Sequence, residues 1–431
     1  MKILNSDDRR FEREFNRIRR RGTQVDRSIV ETVEHILQDV AVRGDEALFE
    51  YTEKYDGHAL DAATVEVSAA EAGRALEDLP DEHRHILETA AARIERFHRR
   101  QRADSWFDRD EEGITVGQVI RPLDRVGIYA PGGLAPYPST VLMAAIPAKV
   151  AGVGEIILAT PARGGVIHPL ILAAAVIGGV DRIFRIGGAQ AVGAMAYGTE
   201  SIPLVDKIVG PGNIYVALAK KMVYGRVGID MIAGPSEILI ISDGTVPPGV
   251  AAADLLSQAE HDEMACSILL TPSGDFARQV KNAVEEQLER LPKKAIASAA
   301  LESYGALIVT RDLDEAVEIA NRYAPEHIEL MVEHPESWLP RIRNAGAVFL
   351  GGFSPEAMGD YIAGPNHILP TGGTARFFSP LGVYDFIKRM SVISFSEGSF
   401  RKYGDAVSRF AAIEGLDAHE RSIAIRLNDK G

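Results

Sequence analysis

A carboxylate and an imidazole stand side by side at Glu326 and His327, in the segment YAPEHIEL. These two side-chain types are the ones best suited to moving protons near neutral pH. Neighbours in a post-proline loop can both face one cavity, or one of them can face solvent, and the spacing leaves both readings open. A second segment, LLSQAEHDE, sets Gln258 and His261 three apart on a predicted helix, so both side chains point the same way. An amide oxygen and an imidazole nitrogen on one face could supply two ligands to a zinc ion, with two more from elsewhere. The plain alternative is a helix end with an ordinary histidine. The loop FSPEAMGDYIAGPNHILPTGG holds Asp360 and His367 among glycines and prolines, a composition typical of ligand contacts. His367 reads better as a loop-packing residue. Near the C-terminus IEGLDAHERS sets Glu414 and His419 five apart, a spacing that neither helix nor strand puts on one face.

Four glycine-rich turns fall at the ends of predicted strands: YAPGG (129–133), IGGAQAVG (186–193), VGPGN (209–213) and IAGPSE (232–237). Ligands of open α/β sheets bind outside the carboxyl ends of strands, where bare backbone admits a phosphate or a nicotinamide. None is a full dinucleotide fingerprint: GPGNIY has Gly210 and Gly212, but Tyr215 where a third glycine would stand. A tight turn accounts for any one of them; four in one sheet region point to ligand access.

The elements that must position these residues follow from periodicity. From about residue 120, short β-rich runs such as VGIYA and EIILAT alternate with Ala-rich helical ones such as STVLMAAIPAKVAG. The pattern resumes in SEILIISDG, VAAADLLSQAEHD, ACSILLTPS and ALIVT, and AGAVFLGG reads as a further strand. Such alternation means βαβ units and parallel sheets. Residues 26–104 read as helical, with Ile29, Val33, Ile36, Leu37 and Val40 on one face and a capping-box pattern at Ser68 and Glu71. His83, His85 and His98 read as surface residues. The opening stretch DDRRFEREFNRIRRR places Phe11, Phe15 and Ile18 on one helical stripe, and its arginines read as the solvated face of a docking helix rather than a nucleic-acid contact. The expected architecture is α/β, with two Rossmann-like domains of parallel βαβ units. Residues 1–25 form a helical arm, 26–128 with 237–380 a larger discontinuous domain, 129–236 a second Rossmann-like domain, and 381–431 a small C-terminal domain.

Composition bounds the function. The chain of 431 residues carries a formal net charge of −14, which leaves no general electrostatic footprint for nucleic acid or anionic membrane. The single cysteine, Cys266, excludes an intramolecular disulfide and any thiolate-based zinc cluster. The longest uncharged run, Val126 to Ala148, contains Pro131, Pro136, Pro138 and Pro147, which would break a membrane-spanning helix. With no secretory signature among the charged residues near the N-terminus, the cytoplasm is the expected compartment.

Taken together, RVGIYAPGGLAPYPSTVLM, DKIVGPGNIYV, AGPSEILI, LLSQAEHD, RYAPEHIEL, GDYIAGPNHILPTGG and EGLDAH resemble the histidinol dehydrogenase family, in the right order from about residue 120 onward. The resemblance implies oxidation of L-histidinol to L-histidine through a bound aldehyde, with two NAD⁺ used in succession. It implies an intertwined homodimer with one zinc per site, held by Gln258, His261, Asp360 and His419, the last from the partner subunit. An N/O donor set of this kind also accepts Mn²⁺. His327 would take the hydroxyl proton, and Glu326 would be the base for addition of water to the aldehyde. Ser236 and Glu414 match the remaining substrate contacts, and a carboxylate at Glu414 suits a cationic amino alcohol. The zinc-binding and proton-moving residues touch substrate as well. Tyr129, Gln190 and Asn213 match NAD-contact positions in the 129–236 domain. Three other readings compete: a sister dehydrogenase of another small alcohol, a zinc hydrolase using His261 and Asp360, and a nucleotide-binding protein without turnover.

Overall fold

The computed structural model describes residues 1–21, 26–132 and 136–428. The chain divides into two compact units, the first comprising Met1–Gln101 and Leu123–Phe386, the second Arg102–Pro122 and Ile387–Gly431.

The first unit is mixed α/β and holds two six-stranded sheets. In the first sheet the strands lie in the order Lys2–Asn5, Ala306–Val309, Cys266–Thr271, Glu237–Ser242, His327–Met331, Ala347–Leu350, all parallel. EILIIS, CSILLT and HIELM are buried at every position, as a parallel sheet covered by helices on both faces requires. The pleat sorts their side chains. Leu239, Ile241, Ile268, Leu270, Ile308 and Ile328 share a core with Phe11, Phe15 and Ile18 of the helix Phe11–Arg19, whereas Ile238, Ile240, Leu269 and Leu307 meet Leu255, Phe276 and Val280 on the other face. The docking stripe expected at the N-terminus is thus present, but Lys2–Asn5 ahead of it is an edge strand rather than part of a helical arm.

The second sheet runs Glu66–Val67, Arg182–Phe184, Glu155–Ala159, Arg125–Tyr129, Lys207–Val209, Gly228–Ile229, parallel except for its first strand. The helix Arg27–Arg43 lays Val33, Ile36, Leu37 and Val40 against Ile157, Phe184 and Val192 on one face. The helix Asp81–His98 lays Leu87 and Ile94 against Val126 and Leu142 on the other. The segment 26–128, expected to join 237–380, therefore supplies its helices to the sheet of residues 125–229. An amphipathic stripe specifies that a helix is buried, not which sheet it covers. His98 departs from the surface reading as well: it is fully buried, with Nδ1 2.8 Å from the Ile94 carbonyl. Ser68 caps its helix by accepting from the Glu71 amide at 3.1 Å, but the Glu71 carboxylate turns to Arg185 instead of closing the box.

In the second unit the strands Ile387–Phe395, Ile114–Pro122 and Trp106–Arg109 form an antiparallel sheet beside the helices Glu397–Ile413 and Asp417–Asn428. The C-terminal region thus recruits residues 102–122, a pairing across more than 250 residues that no local pattern announces. Phe107, Ile393, Phe410 and Ile413 are exposed there, Ile413 to 81%. Among the described residues no helix is long and apolar enough to cross a membrane.

Candidate active site

Strand order in the second sheet reverses at Arg125–Tyr129: Glu155–Ala159 and Arg182–Phe184 follow on one side, Lys207–Val209 and Gly228–Ile229 on the other. Ligands of open parallel sheets bind outside the carboxyl ends of strands at such a switch point. Tyr129 ends the central strand, and Gly210 follows its neighbour with φ +107°, so close that a side chain there would run into the Tyr129 carbonyl. The buried Tyr129 hydroxyl accepts from the Gly188 amide at 3.1 Å, and burial pushes its pKa up to about 12, which keeps it neutral. Gln190 is buried two residues into the helix Gly188–Tyr197. Asn213 caps the helix Ile214–Val223 by accepting from the amides of Tyr215 (3.0 Å) and Val216 (3.2 Å). Tyr129, Gln190 and Asn213 thus gather at one edge of the sheet, beside helix N-termini whose dipoles favour anions. Gly133 of the first glycine-rich turn lies outside the described residues.

Glu326 and His327 stand at the amino end of the strand His327–Met331 in the first sheet, beside the amino end of its neighbour Glu237–Ser242. IAGPSE accordingly leads into a strand here, whereas the other turns follow one. Glu237 and Glu326 bind each other reciprocally: the Glu237 amide donates to Glu326 Oε2 (2.8 Å), and the Glu326 amide donates to Glu237 Oε2 (3.3 Å). The Glu237 carbonyl lies 3.0 Å from His327 Nδ1. A carbonyl can only accept, so Nδ1 carries a proton, and in the neutral ring Nε2 is the atom with the lone pair. Nε2 is buried, has no hydrogen-bond partner among the described residues, and lies 3.9 Å from Asp360 Oδ1. With its amide nitrogen turned toward the pair, Gln258 donates to the Glu237 carbonyl (3.0 Å) and to Glu356 Oε1 (3.2 Å).

His327, Glu356 and Asp360 each offer one ligand atom, all within 4.8 Å of one another. Asp360 belongs to the expected metal-binding set; Glu356 does not. Its signal is its position four residues before Asp360, one helical turn, in a loop whose sequence singles out Asp360 and His367. His261 stands exposed just past the C-terminal end of the Gln258 helix, within electrostatic reach of Asp360 and His327. His367 is the packing residue expected, and it packs beside the site: Nδ1 donates to the Asp360 carbonyl (3.1 Å), and Nε2 accepts from Thr140 Oγ1 (3.2 Å) on the helix Pro138–Ala151. It thereby ties the Asp360 loop to a helix of the second sheet. Ser236 is half-buried directly before Glu237. Glu414 and His419 are exposed in the second unit, one at the end of its first helix, the other near the start of its second.

Burial dominates the electrostatics. It pushes the Glu326 carboxyl up to about pKa 8, with His327 opposing and Glu237 reinforcing. Burial likewise raises Glu356, whose neighbours Asp360 and Asp254 add to the effect, and Glu329, which Asp254 also raises. Glu329 Oε1 holds the Glu356 amide at 2.8 Å. Carboxyl groups beside the His327 imidazole, and no thiolate, form a donor set that fits a divalent zinc or manganese ion. Cys266 is buried, its Sγ against the Tyr304 carbonyl.

A switch point at the carboxyl edge of one sheet and a buried Glu–His pair next to an N/O donor cluster are features that suit an α/β protein of the dehydrogenase class. A histidinol dehydrogenase family model matches residues 19–427. Relatives named histidinol dehydrogenase from Syntrophotalea carbinolica and Geobacter metallireducens are 56% and 54% identical over 429 and 432 residues, covering 100% of this chain and 100% and 99% of theirs. The crystal structure of histidinol dehydrogenase from Elizabethkingia anophelis superposes with a TM-score of 0.92 at 39% identity, covering 99% of this chain and 97% of that one. The chain belongs to the histidinol dehydrogenase family.

Proposed function

We propose that the chain is an NAD-dependent oxidoreductase that converts L-histidinol to L-histidine, the last step of histidine biosynthesis. Turning a primary alcohol into a carboxylate removes four electrons, so two hydrides leave the same carbon and one water is added between the two oxidations. NAD⁺ bound at the second-sheet edge, near Tyr129, Gln190 and Asn213, would accept each hydride in turn.

The observation that carries the reading is the orientation of His327, Nδ1 against the Glu237 carbonyl and Nε2 buried without a hydrogen-bond partner among the described residues. With Nδ1 held by the Glu237 carbonyl, Nε2 is the basic atom, and it takes the hydroxyl proton as the first hydride departs. Glu326, immobilised against the Glu237 amide, is the base that deprotonates the water added to the aldehyde. His327 then serves again when the hydrate is oxidised. Gln258, His261 and Asp360, with His419 of the partner subunit, would hold zinc. When bound, the metal supplies a cationic template that orients the imidazole and amino nitrogens of the substrate. Ser236 and Glu414 would complete the substrate contacts, the carboxylate facing the cationic amine. An intertwined homodimer is supported by the apolar side chains left exposed on the second unit, Ile393 and Ile413 among them. A reducing cytoplasm suits the buried free thiol of Cys266.

Substitution of His327 by asparagine tests the assignment, because it separates a base from a metal ligand. The variant is expected to lose alcohol oxidation by about 10²–10⁴-fold while its zinc content stays at the wild-type level. Activity close to wild type would remove His327 from the chemistry; loss of zinc with activity would make it a ligand.

A further inference from the structure

We propose that Arg21 and Glu237 form a positioning pair that sets the catalytic geometry of Glu326 and His327, an inference that rests on the functional reading above. Arg21 ends the basic N-terminal run, whose role the function leaves unexplained. Its side chain and that of Glu237 are 2% and 1% exposed, with Nη2 2.8 Å from Oε1. Every arm of the guanidinium is used. Nη1 donates to the Tyr323 hydroxyl (2.7 Å), Nε to the Met264 carbonyl (3.2 Å), and Nη2 also to the Pro235 carbonyl (3.3 Å).

Glu237 is in turn the point where the site is assembled. Its Oε1 also accepts from the Gly372 amide (2.6 Å), and its Oε2 accepts from the Glu326 amide (3.3 Å). Its backbone amide holds the Glu326 carboxylate, and its carbonyl receives His327 Nδ1 and the Gln258 amide. One residue therefore fixes both proton-moving side chains and a metal-binding candidate, while the arginine fixes that residue.

Stability alone does not account for this arrangement. Buried ion pairs are often matched or bettered by apolar residues of similar volume, because desolvation offsets the attraction. Direction is what the pair adds. Both carboxylate oxygens face N–H donors, so a glutamine here would present an NH₂ group where an acceptor is required. Misplacement of a reacting group by about 1 Å costs about 100-fold in rate.

The test uses zinc-loaded protein and steady-state kinetics for L-histidinol and NAD⁺, with melting temperature measured in parallel. E237Q is expected to lower kcat by about 100-fold while KM for NAD⁺ stays within about twofold. Because R21M alone leaves a buried carboxylate unpaired and can fail to fold, R21M/E237Q is the deciding variant. With both charges gone, its melting temperature recovers to near wild type while kcat stays low. Recovery of kcat together with melting temperature would make the pair merely structural and overturn the proposal, as would an E237Q enzyme with kcat within about threefold of wild type. Wild-type protein that forms no NADH from L-histidinol would overturn the functional reading first, and this one with it.

Discussion

Replacing Glu326 by glutamine isolates one proton transfer. The amide oxygen can still accept from the Glu237 amide, which holds the carboxylate at 2.8 Å, so the local scaffold survives while the base is lost. With the carboxyl pushed up to about pKa 8 by burial, about a tenth of the wild-type molecules carry the ionised base at pH 7 and about nine tenths at pH 9. Wild-type turnover should therefore rise about tenfold between those values and level off above about pH 9. In E326Q this rise disappears and kcat falls by about 10²–10⁴-fold. The second oxidation should suffer most, because water addition precedes it. Rapid quench with separation of alcohol, aldehyde and acid should show aldehyde accumulating on the variant. The same group has a stability signature of defined sign. Its folded pKa lies above that of an unfolded glutamate, so the contribution is fully present below about pH 4.5 and is lost as pH rises through about 8. Wild-type melting temperature should therefore fall over that window relative to E326Q. An E326Q enzyme that keeps the alkaline rise in turnover would refute the assignment of Glu326 as the base.

Two further outcomes follow from the site. H261A should lose its zinc, read by atomic absorption after dialysis, and bind histidinol far more weakly while NAD⁺ affinity changes little; stoichiometric zinc in that variant would remove His261 from the ligand set. G210A should raise the KM for NAD⁺ or fail to fold, because a side chain at φ +107° meets the Tyr129 carbonyl at the switch point; unchanged NAD⁺ kinetics in a folded variant would move the nucleotide elsewhere.

Much of this was legible in the sequence, for physical reasons. Strands such as EILIIS and CSILLT announce themselves because burial on both faces demands unbroken apolar runs. The stripe of Phe11, Phe15 and Ile18 announces a docked helix. Glu326 and His327 stand out as an adjacent carboxylate and imidazole, and Asp360 as an acid in a Gly/Pro-rich loop of ligand-contact composition. Long-range assignments were not legible. Nothing local tells the helix Arg27–Arg43 which of two sheets to cover, or strand Ile114–Pro122 to pair with Ile387–Phe395. Glu237 was hidden for a related reason: it reads as the first residue of a strand, and its role appears only when Arg21 and Glu326 arrive from 216 and 89 residues away. Glu356 reads as one more loop acid until burial shows otherwise, since it is only 3% exposed.

The central claim is a four-electron oxidation in one site, and stoichiometry tests it most directly. Zinc-loaded protein is given limiting L-histidinol and excess NAD⁺ and followed to completion at 340 nm, with the product identified by chromatography. The account predicts two NADH for each histidinol, with L-histidine as the product and no free aldehyde. One NADH with released aldehyde, or none at all, would contradict it.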